Sequence, residues 1–149
     1  MRPLTRQTDR FTRTVQLARD QAADLAAPAL GTEHLLLGLV LEDRETGGGP
    51  PVGVDPDDLR ALLPRRQPAA DVPPFSRRAV AALDAARRLA DGRADRGVGP
   101  DHLLAAVLGD PDCAAVAALE RLGVDVGDLW SRAVADLGSR PGVVTVAVR

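Results

Sequence analysis

The chain repeats itself, and that repeat constrains its fold more than any other feature. Leu30-Gly31-Thr32-Glu33-His34-Leu35-Leu36 is matched at an offset of 68 by Val98-Gly99-Pro100-Asp101-His102-Leu103-Leu104. Val54-Asp55-Pro56-Asp57-Asp58-Leu59 is matched at an offset of 70 by Val124-Asp125-Val126-Gly127-Asp128-Leu129. A third pair opens each copy: Phe11, Val15, Ala18, Ala22 and Leu25 against Phe75, Ala79, Ala82, Ala86 and Leu89, at an offset of 64. Steps of 4, 3, 4 and 3 are those of one face of an α-helix. The pattern predicts two helical copies that bury their apolar faces on each other, within 149 residues, the size of one ordinary domain.

Local signals place the helix ends. Thr12 and Ser76 each follow a Phe and read as N-caps of the first helix in each copy. Gly31 and Gly99 read as N-caps of the second, because Pro100 suits the first helical position. Thr32 and Glu33 then fall in the first turn, where backbone amides are unpaired and a carboxylate suits the dipole. Asp55 and Asp125 open the last helix. Between the second and last helices the copies diverge. Residues 112–123 of copy two form a strong helix ending at Gly123, whereas Arg44-Glu45-Thr46-Gly47-Gly48-Gly49-Pro50-Pro51-Val52-Gly53 reads as a Gly/Pro loop in place of a helix.

These signals divide the chain into repeat one at 8–63, a proline-rich linker at 64–74 and repeat two at 75–139, one domain over 8–139. Residues 140–149 form an extended tail, with Gly142-Val143-Val144-Thr145-Val146-Ala147-Val148 reading as a β-like segment that docks on a surface.

Composition excludes several functions. Hydrophobic residues make up 45% of the chain but aromatic ones 2%, so Ala, Leu and Val build the core, which favours close-packed helices. All 19 basic residues are Arg; without Lys there is no phosphate loop of the Gly-Lys-Ser/Thr kind and no Schiff-base chemistry. Cys113, His34 and His102 are too few for a metal centre, so neither metal nor cofactor is expected. The two histidines occupy matching positions, which points to a repeated packing role and leaves no nucleophile, base and orienting group for an enzyme. A net charge of −2 argues against nucleic acid, and the pairs Arg65-Arg66, Arg77-Arg78 and Arg87-Arg88 read as solvated surface. With a lone buried thiol, no bilayer-length apolar run and no signal-peptide core at the N-terminus, the expected location is cytoplasmic, with no membrane partner.

Phe11-Thr12-Arg13, Gly31-Thr32-Glu33-His34-Leu35-Leu36-Leu37-Gly38-Leu39-Val40 and Phe75-Ser76-Arg77-Arg78-Ala79 resemble the Clp N-terminal domain, or Clp repeat, and the Gly-Thr-Glu-His run resembles its ClpC-like branch. The resemblance implies an all-α pseudo-twofold tandem repeat of two four-helix motifs, here with about seven helices in place of eight. It also implies a substrate- and adaptor-docking domain of Clp unfoldases, without their ATPase modules. In the ClpC branch such domains bind phosphorylated arginine, one site per repeat, and some bind cyclic peptide antibiotics. Carried over by position, the first site comprises Thr12, Gly31, Thr32 and Glu33, with amides and a hydroxyl for the phosphate and Glu33 for the guanidinium. The second comprises Ser76, Gly99 and Asp101 and is expected to be weaker, since Pro100 lacks an N–H and Asp101 is a methylene shorter. Phe75 reads as core by symmetry with Phe11, yet its counterpart lines the peptide site in antibiotic-binding relatives. An aromatic that those relatives place before Phe11 is replaced here by about Thr8. The implied role is an adaptor or decoy in a Clp ATPase and protease system. The alternative is a structural protein-interaction domain that has lost the small-ligand sites.

Overall fold

A computed structural model describes residues 8–47, 52–65, 73–92 and 97–138. Seven helices run through them: α1 (Asp9–Asp24), α2 (Thr32–Thr46), α3 (Pro56–Ala61), α4 (Arg77–Gly92), α5 (Pro100–Leu108), α6 (Ala114–Arg121) and α7 (Val126–Gly138). No strand lies among the described residues, so the fold is all-α as the composition requires. None of these helices is long and apolar enough to cross a membrane. Within repeat one α1 packs on α2, and within repeat two α4 packs on α5. The second helices of the two repeats, α2 and α5, meet in the middle, and α3 and α7 close the ends against them.

The caps correct the register of the first repeat pair. Thr8 Oγ accepts from Phe11 N at 3.1 Å and begins α1, while Ser76 Oγ accepts from Ala79 N at 3.1 Å and begins α4. Thr12 is therefore not an N-cap; it lies inside α1, its amide already bonded to Thr8 O at 3.0 Å. The caps are 68 residues apart, the same offset as the Gly31 and Gly99 motifs. Buried Phe11, Thr14, Ala18 and Ala22 of α1 thus correspond to buried Ala79, Ala82, Ala86 and Ala90 of α4. An offset of 64 is slipped by one helical turn, which an apolar stripe of helical period cannot reveal.

Reciprocal backbone bonds join the repeats at this register. Ser76 N donates to Leu30 O at 2.8 Å, and Thr8 N donates to Val98 O at 3.1 Å. Leu30 N also donates to Pro74 O at 2.7 Å, which makes Leu30 and Phe75 an isolated parallel bridge. Ion pairs follow the same symmetry: Arg10 grips Glu42 with two bonds of 2.8 Å, and Arg78 grips Asp110 at 2.6 and 2.8 Å. Glu42 is fully buried and also accepts from the Thr46 hydroxyl at 3.1 Å, so its desolvated charge is compensated on both sides.

Repeat one departs from repeat two after its second helix. Residues 44–46 are not loop, as the sequence suggested, but the last turn of α2, which runs 15 residues against the 9 of α5. Glu42, Arg44 and Glu45 hold that turn by bonding to Arg10, Asp55 and Arg13, and Gly47 ends it with a left-handed φ of 67°. Residues 48–51 of the predicted loop, 66–72 of the predicted linker and the whole predicted tail from 140 lie outside the described residues. Asp55 and Asp125 cap α3 and α7 as expected, accepting from Asp57 N at 2.8 Å and Asp128 N at 3.0 Å.

Helix α6 is capped from the other repeat. Its own N-cap, Cys113, makes no side-chain cap bond; instead Thr32 Oγ accepts from Ala115 N at 3.1 Å across 83 residues of sequence. The residue matching Thr32 is Pro100, which carries no hydroxyl, and repeat one has no described helix at the place of α6. Among the described residues, the capping hydroxyl and the helix it caps are thus both absent from the matching places.

Two substitutions test this packing. A Cβ at Gly38 would sit 2.5 Å from Thr14 O and 3.1 Å from the Ala18 Cβ, where α1 crosses α2. Gly38→Ala is expected to cost about 1–3 kcal/mol through overpacking despite its better helix propensity; urea melts that show an equal or higher midpoint would contradict it. Thr32→Val leaves the buried Ala115 amide without its acceptor and should cost about 1–2 kcal/mol. Thr32→Ser should recover most of that loss in the same melts.

Candidate functional site

A cleft of about 330 Å³ opens at the N-terminus of α2, lined by Gly31, Thr32, Glu33 and His34 from repeat one and by Ser76 and Arg78 from repeat two. Its floor is a tightly closed helix start. Gly31 N donates to His34 Nδ1 at 2.9 Å, and His34 N donates to Gly31 O at 3.1 Å. The imidazole thus fills the third-residue role that Glu or Gln takes in other capping boxes. Because Nδ1 accepts, the ring proton is assigned to Nε2. His34 is 4% exposed, and its burial pushes its pKa below the ordinary value, against an opposing pull from Glu33, whose Oε1 lies 3.6 Å from Nδ1.

Glu33 stands at the mouth, its carboxylate folded back over the open side of Gly31. Across the cleft Ser76 spends one lone pair on Ala79 N and retains its hydroxyl proton for donation. Arg78 is half-exposed and bound to Asp110 through one guanidinium nitrogen, which leaves its remaining N–H groups pointing elsewhere. Its hydrogen bonds to Asp110 raise its already high pKa and lower that of Asp110. One wall therefore offers a carboxylate and a helix N-terminus, and the facing wall a hydroxyl and a fixed cation.

The structure redistributes the residues expected to form two sites. Gly31, Thr32 and Glu33 come together as expected, but their hydroxyl neighbour across the cleft is Ser76 of the second repeat, and Thr12 is not among the lining residues. Thr32 is 2% exposed with its oxygen committed to Ala115 N, so it serves the fold first. At the matching place in repeat two, Gly99 N donates to His102 Nδ1 at 2.9 Å, and the nearby hydroxyl is Thr8 of repeat one, 3.8 Å from where a Gly99 Cβ would lie. Asp101 turns inward, its Oδ1 accepting from His102 N at 3.0 Å. Both carboxylates fold back toward the glycine at their own helix start, Glu33 over Gly31 and Asp101 over Gly99.

The sequence reading left Arg78 on solvated surface and gave Thr8 and the two histidines no capping role. The signal for the first two was present: Thr8-Asp9-Arg10 and Ser76-Arg77-Arg78 match at the offset of 68. Phe75 is a further correction. Its counterpart is not Phe11, and its ring is half-buried at the junction of the repeats with the Arg19 guanidinium carbon 4.9 Å from its centroid, a cation–π contact. Phe11 alone holds the fully buried core position.

Comparison with known proteins places these features among relatives. A family model described as the Clp repeat (R) N-terminal domain matches residues 74–148. The chloroplastic chaperone protein ClpC of Pisum sativum is 28% identical over 150 residues, covering 95% of this chain. The chain spans 16% of that relative's length. Among solved structures, the N-terminal domain of the caseinolytic protease associated chaperone ClpD from Arabidopsis thaliana superposes with a TM-score of 0.74 at 25% identity, over 89% of this chain and 94% of that one. The Hsp104 N-terminal domain from Candida albicans superposes with a TM-score of 0.70 at 20% identity, over 91% of this chain and 93% of that one.

The buried imidazole sets a pH dependence. A histidine whose folded pKa lies below its unfolded value near 6.5 stabilises fully above 6.5, and that contribution is lost as pH falls through the folded pKa. Stability is expected to fall on acidification below pH 6.5, more shallowly in His34→Asn. Identical pH slopes for wild type and variant in thermal melts would contradict the assignment.

Proposed function

The chain belongs to the Clp repeat (R) N-terminal domain family, and from that membership we propose that it is a non-catalytic docking module whose cleft between the repeats binds arginine-phosphorylated peptides or proteins. One observation carries the reading. A single cleft sets Glu33 and the α2 N-terminus opposite Ser76 and Arg78, a carboxylate and an anion-binding pair within one volume. Phosphoarginine has the matching polarity: Glu33 takes the guanidinium, and the α2 amides, the Ser76 hydroxyl and Arg78 take the phosphate. The matching place in repeat two has a proline for one amide donor and a carboxylate bonded to its own backbone, so it binds more weakly.

Family membership supports substrate or adaptor docking for a Clp ATPase system as the coarser role. A module of this kind competes by mass action for ligand that a full-length ClpC-type unfoldase also recognises, and so acts as adaptor or decoy. A cyclic peptide at the repeat junction would have to lift Arg19 from the face of Phe75. The commitment of Thr32 to Ala115 and the proline at position 100 favour the alternative, a protein-interaction domain without small-ligand sites. Capture of one stoichiometric partner, unchanged by Glu33→Ala together with Asp101→Ala, supports that alternative over the first.

Calorimetric titration with phosphoarginine tests the ligand. Glu33→Ala and Arg78→Ala are each expected to weaken binding about tenfold or more, equivalent to about 1.4 kcal/mol, and Asp101→Ala to leave the tighter site unchanged. No heat with wild type, or equal affinity for wild type and Glu33→Ala, would sink the phosphoarginine reading.

A further inference from the structure

The candidate cleft does not end at Arg78. Thr32 and Arg78 also line a larger groove of about 700 Å³ between α4, α5 and α7, so the two hollows adjoin along these residues. The α4 wall of the groove is a single helical face, with Arg78, Ala81, Ala82, Ala85, Arg88 and Leu89 along it. Opposite stand Trp130 and Val134 of α7, 43% and 41% exposed, two large apolar side chains beside walls of alanine. An uncovered apolar patch of this kind on a domain marks a contact surface.

Charge says what chemistry the surface fits. Arg78 and Asp110 neutralise each other through bonds of 2.6 and 2.8 Å. Arg87 is paired with Asp84 at 3.3 Å, whereas Arg88, which lines the groove, holds no carboxylate among the described residues. Every other lining residue is uncharged, so the groove is net positive, and the uncompensated charge lies away from the cleft. From Arg78 to Arg88 the helix rises about 15 Å. An extended peptide advances about 3.3 Å per residue and shows alternate side chains to one side, so side chains four residues apart lie about 13 Å apart on that side.

With phosphoarginine in the cleft, the reading on which this rests, we infer that the groove takes the chain that flanks it. The occupant is an extended peptide with a branched aliphatic side chain two residues from the phosphoarginine and a carboxylate four residues from it. The aliphatic side chain lies over Ala81 and Ala85 against Trp130, and the carboxylate pairs with Arg88. The ligand is thus an acidic, arginine-phosphorylated segment, and the groove selects which of such segments dock.

Calorimetry combined with the fluorescence of Trp130, the only tryptophan in the chain, separates the two hollows. The probe is a symmetric nonapeptide with phosphoarginine at its centre, valine two residues to either side, glutamate four residues to either side and glycine elsewhere, so that either chain direction presents the same pattern. It is expected to bind about tenfold tighter than free phosphoarginine and to shift the Trp130 emission, which free phosphoarginine leaves unchanged. Replacing both valines by serine, or both glutamates by glutamine, should each remove most of that gain. Arg88→Gln should abolish the preference for glutamate over glutamine and keep the affinity for free phosphoarginine. A peptide no tighter than free phosphoarginine, with Trp130 emission unmoved, overturns the groove and leaves the cleft reading intact. Equal affinity for the unphosphorylated peptide, or no binding of either ligand, overturns the cleft reading and the groove with it.

Discussion

Leu30 and Val98, 68 residues apart, each give a backbone carbonyl to the amide that starts the other repeat's first helix. These two crossed bonds fix the register between the halves, and the position of every residue at the candidate site follows from them. Leu30 directly precedes Gly31, and its partner Ser76 caps α4, so the crossing brings the α2 N-terminus against the α4 N-terminus. Glu33 thereby meets Ser76 and Arg78 across one cleft. Neither repeat contains that arrangement by itself, since each contributes only one wall.

The departures from symmetry are few and physically linked. Thr32 caps α6 through Ala115, whereas Pro100 carries no hydroxyl to cap a helix. The glycine at 38 lets α1 and α2 approach until a Cβ would touch backbone, and the matching residue, Ala106, lines the open groove beside α4. Glu33 lines the junction cleft, and Asp101 accepts from His102 N. Repeat one therefore has the closer helix pair and the carboxylate that lines the cleft; repeat two has α6 and most of the walls of an apolar groove. One duplicated plan thus yields a polar cleft at the junction and an apolar groove, largely of repeat two, that shares Thr32 and Arg78 with the cleft.

Much of this was legible in the sequence, and what was not has a definite cause. The Gly31 and Gly99 helix starts, the aspartate caps and the all-α class follow from residue types whose local chemistry acts within three or four positions. The register of α1 against α4 did not follow, because an apolar stripe recurs every turn and a slip of four residues preserves it. Phe11 and Phe75 look alike in sequence and differ in place, one in the core and one at the junction under Arg19. The last turn of α2 was also hidden. Arg44-Glu45-Thr46 precedes a run of glycines, and only the long-range bonds of Arg10 to Glu42 and Arg13 to Glu45 hold it helical. Arg78 reads as solvated surface from the sequence because its meaning depends on which repeat it faces, a tertiary fact that no local pattern encodes.

The central claim is that the ligand site is shared between the repeats. Nitrogen-15 amide spectra of the whole chain, recorded during titration with phosphoarginine, test it most directly. The account predicts that the first shifts to saturate together are those of Gly31 to His34 and of Ser76 to Arg78. Shifts confined to the residues of a single repeat, or no saturable shift at all, would contradict it.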